Sequence, residues 1–382
     1  MKWEKVKLGD IATFSNGINF NKTAYAKGIK LIGVSNFGDR FYPDYSQLQE
    51  VKKDIVRLED CLRNGDIVFV RSNGNKELVG RCMLVKNPTE RVTYSGFCIR
   101  ARLNDTDRYD PVYFTYYFKS KAFRRAVSGT AVGANIQNLS QARLSNHECR
   151  IPSIEVQHRI ADILSAYDDL IENNQKQIKL LEEVAQRLYK EWFVDLRFPG
   201  HENTKIVDGV PEGWSRTNIN EILTFHRGYD LTKNEMKAGR YPVVGSTTVI
   251  GYHNEFKIKG PGIVTGRSGS LGKYQFIWDN FWPHNTSLYI SDYKDHNIFF
   301  VYSLLQTVDF ASLNNGGAIP TLNRNVLSNI EVIEPTDELQ EMFAKIAEAQ
   351  YRKIRNLEKQ NNQLKMARDV LLPKLMSGEV EV

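Results

Sequence analysis

The feature that most constrains this chain of 382 residues is a sequence that it carries twice. The stretch TFSNGINF (13–20) returns as TFHRGYDL (224–231), with Thr, Phe and Gly at identical spacing. Later, LSQARLSNHECRIP (139–152) returns as LNRNVLSNIEVIEP (322–335). Collinear matches this far apart indicate two copies of a whole module, and the length of the chain also favours two compact domains.

Each copy begins with strand-like sequence. Runs such as DIVFVR (66–71) and GIVTGRS (262–268) are rich in β-formers and are bounded by Gly, Asn, Asp and Ser clusters. A short helix is predicted at about 112–127 in the first copy and at about 297–310 in the second. We therefore expect two similar mixed α/β globules, called module 1 and module 2.

A different pattern follows each module, because apolar residues recur in steps of four and three after Pro152 and Pro335. This spacing predicts two long coiled-coil helices. Only the linker RFPGHENTKIVDGVPEG (197–213) separates the first helix from module 2, so the second helix starts where the first ends unless the linker and module double back along roughly 60 Å. Antiparallel pairing costs far less and is therefore expected. The predicted seam residues are Leu164, Ile171, Asn174, Ile178, Leu181 and Leu188 in the first helix, and Ile354, Leu357, Asn361, Leu364 and Leu371 in the second.

The predicted fold class is α+β, with two similar mixed α/β modules separated by two long antiparallel coiled-coil helices and related by a pseudo-twofold internal repeat. The expected boundaries are 1–152 for module 1, 153–196 for the central helix, 197–213 for the linker, 214–335 for module 2 and 336–376 for the C-terminal helix.

Composition narrows the class of protein. A formal net charge of +6 is compatible with a polyanionic partner but does not identify one. The four cysteines show no C-x-x-C pair and no zinc-site spacing, so reduced structural thiols are expected. No apolar run approaches the ~20 residues needed to cross a bilayer, and Met1-Lys2-Trp3-Glu4 does not begin a signal peptide, so we expect a cytoplasmic protein without membrane contact.

Enzyme motifs are weak. Asp110-Pro111-Val112-Tyr113 departs from the D/N-P-P-Y/F pattern of amino-methyltransferases at its third position, and we interpret it as a helix start. GRSGSLGKY (266–274) lacks the first Gly and the final Ser/Thr of a phosphate-binding loop. We expect no catalytic residue, no metal site and no nucleotide hydrolysis in this chain.

The order of the parts is similar to a known family. The chain contains W-x4-L-G-D-I (Trp3 to Ile11), the restart P-x-G-W (Pro211 to Trp214), LYKEWFVDLRFPG (188–200), and Pro152 and Pro335 followed by Gln157 and Gln340. With these motifs the chain resembles, over essentially its whole length, the specificity subunits of type I DNA restriction–modification systems.

The resemblance implies a non-catalytic subunit. Each module would be a target-recognition domain that reads one half of a bipartite double-stranded DNA site, and the helices would set the gap and dock methyltransferase (modification) subunits. A restriction/translocase subunit would join the same complex. The chain itself would bind no cofactor, since S-adenosylmethionine, ATP and Mg would belong to the partner subunits. Inserting or deleting helix residues should change the gap without changing either half.

Candidate DNA-binding residues lie in loops that recur in both modules or carry Arg, Lys, His and Asn beside aromatics. Each also has a structural interpretation, as a solvated hairpin, a turn cap or a chain reversal before the last strand. The candidates are Arg71, Ser72, Asn73, Asn75, Lys76, Arg81, Asn135 and Gln137 in module 1, and His253, Lys257, Arg267, Ser268, Lys273, His284, Asn285, Asn323 and Arg324 in module 2.

Two other functions are compatible with the same pattern. A coiled-coil protein-interaction scaffold would never touch DNA, and a stand-alone DNA-binding regulator would bind its site tightly without partners. The target bases and the gap length do not follow from residue identity alone.

Overall fold

The computed structural model describes residues 3–38, 40–72, 78–128, 138–267, 272–308 and 330–382. The chain divides into two compact units. Unit 1 comprises Met1–Asn174 and Lys359–Val382, and unit 2 comprises Gln175–Glu358. Each unit contains one predicted module together with parts of both long helices.

The described part of module 1 contains nine short strands. The strands β2, β8, β5 and β6 form one sheet in that order, β4, β3 and β7 form a second, and β1 pairs with β9. The strands are β1 (Glu4–Lys7), β2 (Ala12–Asn16), β3 (Tyr25–Ile32), β4 (Gln49–Val51), β5 (Ile67–Val70), β6 (Cys82–Leu84), β7 (Val92–Tyr94), β8 (Cys98–Leu103) and β9 (Glu148–Ile151).

Module 2 repeats this topology. The sheet β13-β19-β16-β17 corresponds to β2-β8-β5-β6, the sheet β15-β14-β18 corresponds to β4-β3-β7, and β12 pairs with β20 as β1 pairs with β9. The strands of unit 2 are β10 (Ile206–Val207), β11 (Val210–Pro211), β12 (Ser215–Asn218), β13 (Thr224–Arg227), β14 (Tyr241–Val244), β15 (Val249–His253), β16 (Gly262–Gly266), β17 (Tyr274–Ile277), β18 (Trp282–Pro283), β19 (Ser287–Asp292) and β20 (Glu331–Glu334).

The pairing directions also match, since β3–β7 and β14–β18 are both parallel within otherwise antiparallel sheets. The predicted internal duplication is therefore confirmed strand by strand. Among the helices, α1 and α6 occupy equivalent places after the first strand of each module. The helices are α1 (Leu8–Ile11), α2 (Pro111–Lys119), α3 (Lys121–Ser128), α4 (Gln141–Ser145), α5 (Ile154–Tyr189), α6 (Ile219–Ile222), α7 (Ile298–Thr307) and α8 (Asp337–Ser377).

The helix expected at 112–127 is divided in two. Asp110 caps α2 through the backbone N–H of Tyr113 at 2.6 Å, and Pro111 occupies the first turn, so the predicted helix start is confirmed. The division falls at Ser120, whose backbone is extended while its N–H closes the last turn of α2. In module 2 the expected helix at 297–310 is the single helix α7.

In unit 1 the start of α5 runs antiparallel to the end of α8. Asn174 Nδ2 donates to Asn361 Oδ1 at 2.9 Å, and Leu164 shares a core cluster with Leu371 and Leu375. The long helix α5 continues past Tyr189 as a π-helical turn, Lys190–Val194. The two polar seam residues, Asn174 and Asn361, are buried and joined by a side-chain hydrogen bond.

In unit 2 the later part of α5 is antiparallel to the start of α8. Tyr189 packs edge-on against Phe343 with ring centroids 5.5 Å apart, and Ala185 lies in the same core cluster as Ile354. Every predicted seam residue of the two helices is buried or half-buried. The antiparallel coiled coil of the predicted fold class is confirmed within each unit.

A buried glutamine fixes each junction between a module and its helix. Gln157 Nε2 donates to the carbonyl of Pro152 at 3.0 Å, and Gln340 Nε2 donates to the carbonyl of Pro335 at 2.8 Å. The two side chains are 1% and 3% exposed. Because a buried amide must be paired, these residues fix the entry of α5 and α8 in the same way.

All four cysteines are buried and free, as expected for structural thiols. Burial raises the pKa of Cys82 to about 11 and that of Cys98 to about 12. Both thiols therefore stay protonated at neutral pH and behave as small apolar core residues.

Candidate nucleic-acid interface

The repeated glycines of TFSNGINF and TFHRGYDL lie where two backbones touch. A Cβ on Gly17 would lie 2.1 Å from the carbonyl oxygen of Tyr94, and a Cβ on Gly228 would lie 2.0 Å from that of His284. No side chain fits at this distance, so glycine is required for the close approach. The duplicated phrase thus holds the end of β2 or β13 against a later turn of the same module.

That turn is called the tip turn, and it comprises Ser95–Phe97 in module 1 and His284–Thr286 in module 2. In module 1, Ser95 N–H donates to the carbonyl of Ile32 at 2.9 Å, and Arg71 N–H donates to that of Phe97 at 2.8 Å. The guanidinium of Arg71 also donates to the carbonyl of Gly96 at 3.2 Å. The predicted residue Arg71 therefore lies directly beside the tip turn.

Module 2 has the same backbone frame. His284 N–H donates to the carbonyl of Val244 at 2.8 Å, and Arg267 N–H donates to that of Thr286 at 3.1 Å. The ring Nδ1 of His284 lies 2.9 Å from the Thr286 hydroxyl, and Asn285 Nδ2 donates to the carboxylate of Asp230. The structure thus brings the predicted residues Arg267, His284 and Asn285 together at one place.

The loops that follow β5 and β16 end on equivalent glycines. Gly80 has φ +80° and Gly272 has φ +77°, the left-handed region that glycine adopts without steric cost. The next residue in each module is a basic candidate for DNA contact. Arg81 in module 1 is half-buried, and Lys273 in module 2 is exposed. Ser72 forms a bridge with Asn138, so the chain returns beside Arg71 before α4.

Two candidate DNA-binding residues of module 2, His253 and Lys257, lie in different surroundings. His253 is 5% exposed, and its Nδ1 accepts from the backbone N–H of Lys237 at 3.0 Å. Its ring packs edge-on against Trp282, so its burial favours a packing role, and contact with DNA stays a prediction. Lys257 is exposed, and its ammonium lies 4.8 Å from the Trp282 ring centroid, which leaves it available to a phosphate.

The remaining predicted contacts lie outside the described residues. They are Asn73, Asn75, Lys76, Asn135 and Gln137 in module 1, and Ser268, Asn323 and Arg324 in module 2.

Sequence reasoning missed two residues at the tip turns. Phe97 is 62% exposed although it belongs to a tightly bonded turn. Asp230 is the hydrogen-bond partner of Asn285. Alignment of the two modules across SGFC (95–98) and HNTS (284–287) would have found the first, because it places Phe97 opposite Thr286.

A pair of hydroxyl groups that includes a tyrosine lies near each tip turn. The Tyr94 hydroxyl lies 2.7 Å from Ser15 Oγ in module 1, and the Tyr229 and Tyr289 hydroxyls lie 3.0 Å apart in module 2. Burial raises the pKa of Tyr94 and of Tyr289, so both phenols stay protonated at neutral pH. Both phenols are therefore neutral and add no negative charge near the turns.

Within the described ranges, no group of three His, Cys, Asp or Glu side chains is placed to hold a metal ion. No helix in the same part of the chain is long and apolar enough to cross a membrane.

Comparisons with known proteins agree with this architecture. The family model for the type I restriction modification DNA specificity domain matches residues 1–183 and 211–366. The type I restriction enzyme MjaIX specificity subunit of Methanocaldococcus jannaschii is 27% identical over 334 residues, covering 80% of this chain and 76% of the relative. The HindI specificity subunit of Haemophilus influenzae is 23% identical, with 99% of both chains covered.

The solved S subunit of a type I restriction-modification system from M. genitalium shares the fold, with a TM-score of 0.58 and 19% identity over 98% of this chain and 96% of that one. The family model covers most of the sequence in two segments, one for each module and its helix. The chain therefore belongs to the type I restriction–modification DNA specificity family.

Proposed function

We propose that this chain is the sequence-specific DNA-recognition subunit of a type I restriction–modification complex, with each module reading one half of a bipartite double-stranded target. The observation that carries the proposal is the tip turn. Both modules hold it with the same backbone hydrogen bonds, yet they present different side chains there. A shared frame with variable side chains suits two readers of different short sequences.

Positive side chains beside the turns support DNA as the ligand. Arg71 in module 1 and Arg267 in module 2 are bonded to the turns through their backbones, and Lys257 is exposed nearby in module 2. Such residues supply the salt-dependent attraction to phosphates that positions a protein on duplex DNA. Base contacts from the turns would then add specificity.

The helices are proposed to bind the methyltransferase (modification) subunits. Large apolar side chains are exposed along both helices, although their heptad seams are already buried, and exposed apolar surface of this kind is typical of protein docking. These residues are Leu170, Met366 and Val370 in unit 1, and Leu180, Val184, Met342 and Ile346 in unit 2.

On this proposal the chain selects the site and its partners perform the chemistry. The modification subunits would methylate adenine with S-adenosylmethionine, and a restriction/translocase subunit would use ATP and Mg. The expectation that helix length sets the gap between half-sites also stays a prediction. Neither the scaffold nor the stand-alone regulator is favoured by the family match.

The test is duplex binding at several salt concentrations, by the chain alone and with its modification subunits. We expect weak salt-dependent binding alone and sequence-specific binding once the subunits are added. Absence of DNA binding in both preparations would contradict the proposal in favour of a scaffold. Tight specific binding by the chain alone would contradict it in favour of a regulator.

A further inference from the structure

Asn285 is held in one orientation at the tip turn of module 2. A carboxylate only accepts hydrogen bonds, so the Asp230 side chain must face the Nδ2 side of the amide. This leaves the second N–H and the carbonyl oxygen of Asn285 for another partner. The residue is half-buried, and its backbone is fixed between Val244 and Arg267.

The exposed donor and acceptor of such an amide match one base. Adenine presents the N6 amino donor and the N7 acceptor side by side in the major groove, and a side-chain amide pairs with both. Since Asp230 fixes one end of the amide, little rotamer entropy remains to be lost on binding. The geometry is therefore preorganised for a bidentate contact.

The charges around Asn285 favour a base contact over a phosphate contact. Arg267 is bonded to the same turn, and Arg227 precedes Gly228, which abuts the His284 carbonyl. These cations suit phosphates on either side. Asp230 would repel a phosphate placed directly at Asn285, so the position suits an uncharged base edge.

Module 1 has no side chain at the equivalent turn residue, but the amide of Asn19, which aligns with Asp230, lies against that residue, since a Cβ on Gly96 would lie 2.0 Å from Asn19 Oδ1. Gly96 replaces Asn285 in the aligned turn, and exposed Phe97 replaces Thr286. The exposed apolar side chain of Phe97 can contact the methyl group of thymine, a contact that Thr286 and Asn285 do not offer in the same form. The same frame therefore gives the two modules different base preferences.

We propose that the tip turn sets the base preference of each module, with Asn285 reading an adenine in the half-site bound by module 2. The inference rests on the proposed DNA-recognition function and assigns a base-reading residue to it.

The test maps methylated adenines in cells that express the full complex with wild-type chain, Asn285→Ala, Asp230→Ala or Phe97→Ala. The control is Asn203→Ala, the same substitution at an exposed linker asparagine. We expect Asn285→Ala and Asp230→Ala to relax one adenine position in a single half-site and to leave the other half unchanged. Phe97→Ala should alter only the opposite half, and Asn203→Ala should alter neither.

A binding experiment with purified complex gives an independent readout. A duplex with 7-deazaadenine at the relaxed position lacks the N7 acceptor, and it should bind the wild-type complex about tenfold more weakly. The Asn285→Ala complex should bind normal and modified duplexes equally. Equal discrimination by both complexes, or an unchanged motif in Asn285→Ala cells, would overturn the inference while leaving the proposed function standing. Loss of the proposed function would appear differently, as a wild-type chain that specifies no bipartite motif.

Discussion

Asp168 and Arg368 form an ion pair inside the helix pair of unit 1. Their side chains are 7% and 15% exposed, and Arg368 donates to the Asp168 carboxylate. The hydroxyl of Tyr116 donates to the other carboxylate oxygen at 2.6 Å. Burial and the Asp168 charge both raise the pKa of Tyr116, so the phenol remains a donor.

Replacing Asp168 with Leu should strongly destabilise unit 1. The substitution removes the buried partner of the Arg368 guanidinium, which among the described residues keeps only the exposed carboxylate of Asp369, and it removes the acceptor of Tyr116. Breaking a buried pair from one side costs about 3–5 kcal/mol. For a unit of this size each kcal/mol lowers Tm by about 2–4 °C, so the unit 1 transition should fall by roughly 6–20 °C.

The two residues should be strongly coupled in their effect on stability. Arg368→Met alone should also destabilise, because it leaves the Asp168 carboxylate with only the Tyr116 hydroxyl. The double variant Asp168→Leu/Arg368→Met removes both charges, and its stability should return to within about 1–2 kcal/mol of wild type.

Differential scanning calorimetry of the full chain measures all four proteins of this cycle. Glu148→Gln, which breaks an exposed pair with Lys5 in the same unit, is the control and should leave Tm close to wild type. A double variant as unstable as the sum of the two single variants would refute the reasoning. A single Asp168→Leu variant with wild-type Tm would refute it as well.

Two further predictions concern the modules. Gly17→Ala should destabilise unit 1 by about 1–3 kcal/mol, because its Cβ would lie 2.1 Å from the Tyr94 carbonyl oxygen. The control is Gly38→Ala, whose Cβ would meet open space and should not destabilise the unit. Equal Tm values for the two variants would contradict this prediction. Burial lowers the pKa of His147 below its ordinary value of 6.5, so the folded state resists protonation and unit 1 should lose stability as pH falls below about 6.5. His147→Gln should weaken that loss in urea unfolding between about pH 7 and 5, and an unchanged pH profile would contradict the assignment.

The duplication and the long helices could be predicted from the sequence because they leave periodic signals. Gly17 and Gly228 repeat because a backbone contact tolerates no side chain, and the heptads repeat because one helix face stays buried. These constraints act on local spacing, which the sequence displays directly.

Contacts formed between distant segments could not be predicted in the same way. Asp168 is not among the predicted seam residues, and its pairing with Arg368 depends on the register of the two helices. His253 was a candidate for DNA contact, but it is buried against Trp282 and accepts from the Lys237 backbone. The helix that was predicted to be continuous is interrupted at Ser120, whose backbone is extended. A serine at this position does not by itself indicate such a break.

The tip turns could be predicted from the sequence only in part. Arg71 and Arg267 were expected to contact DNA from their loops, and the structure places both beside the turns. Phe97 could have been found by aligning the two turn sequences, whereas the Asp230–Asn285 pair joins segments 55 residues apart and depends on the fold.

The central claim is that this chain selects a bipartite DNA target. Its most direct test is a genome-wide map of methylated adenines in cells that carry the complete system, with and without the gene for this chain. The account predicts that one motif, consisting of two short sequences separated by a fixed number of unread bases, disappears when the gene is removed. An identical set of methylated motifs in both cell lines would contradict it.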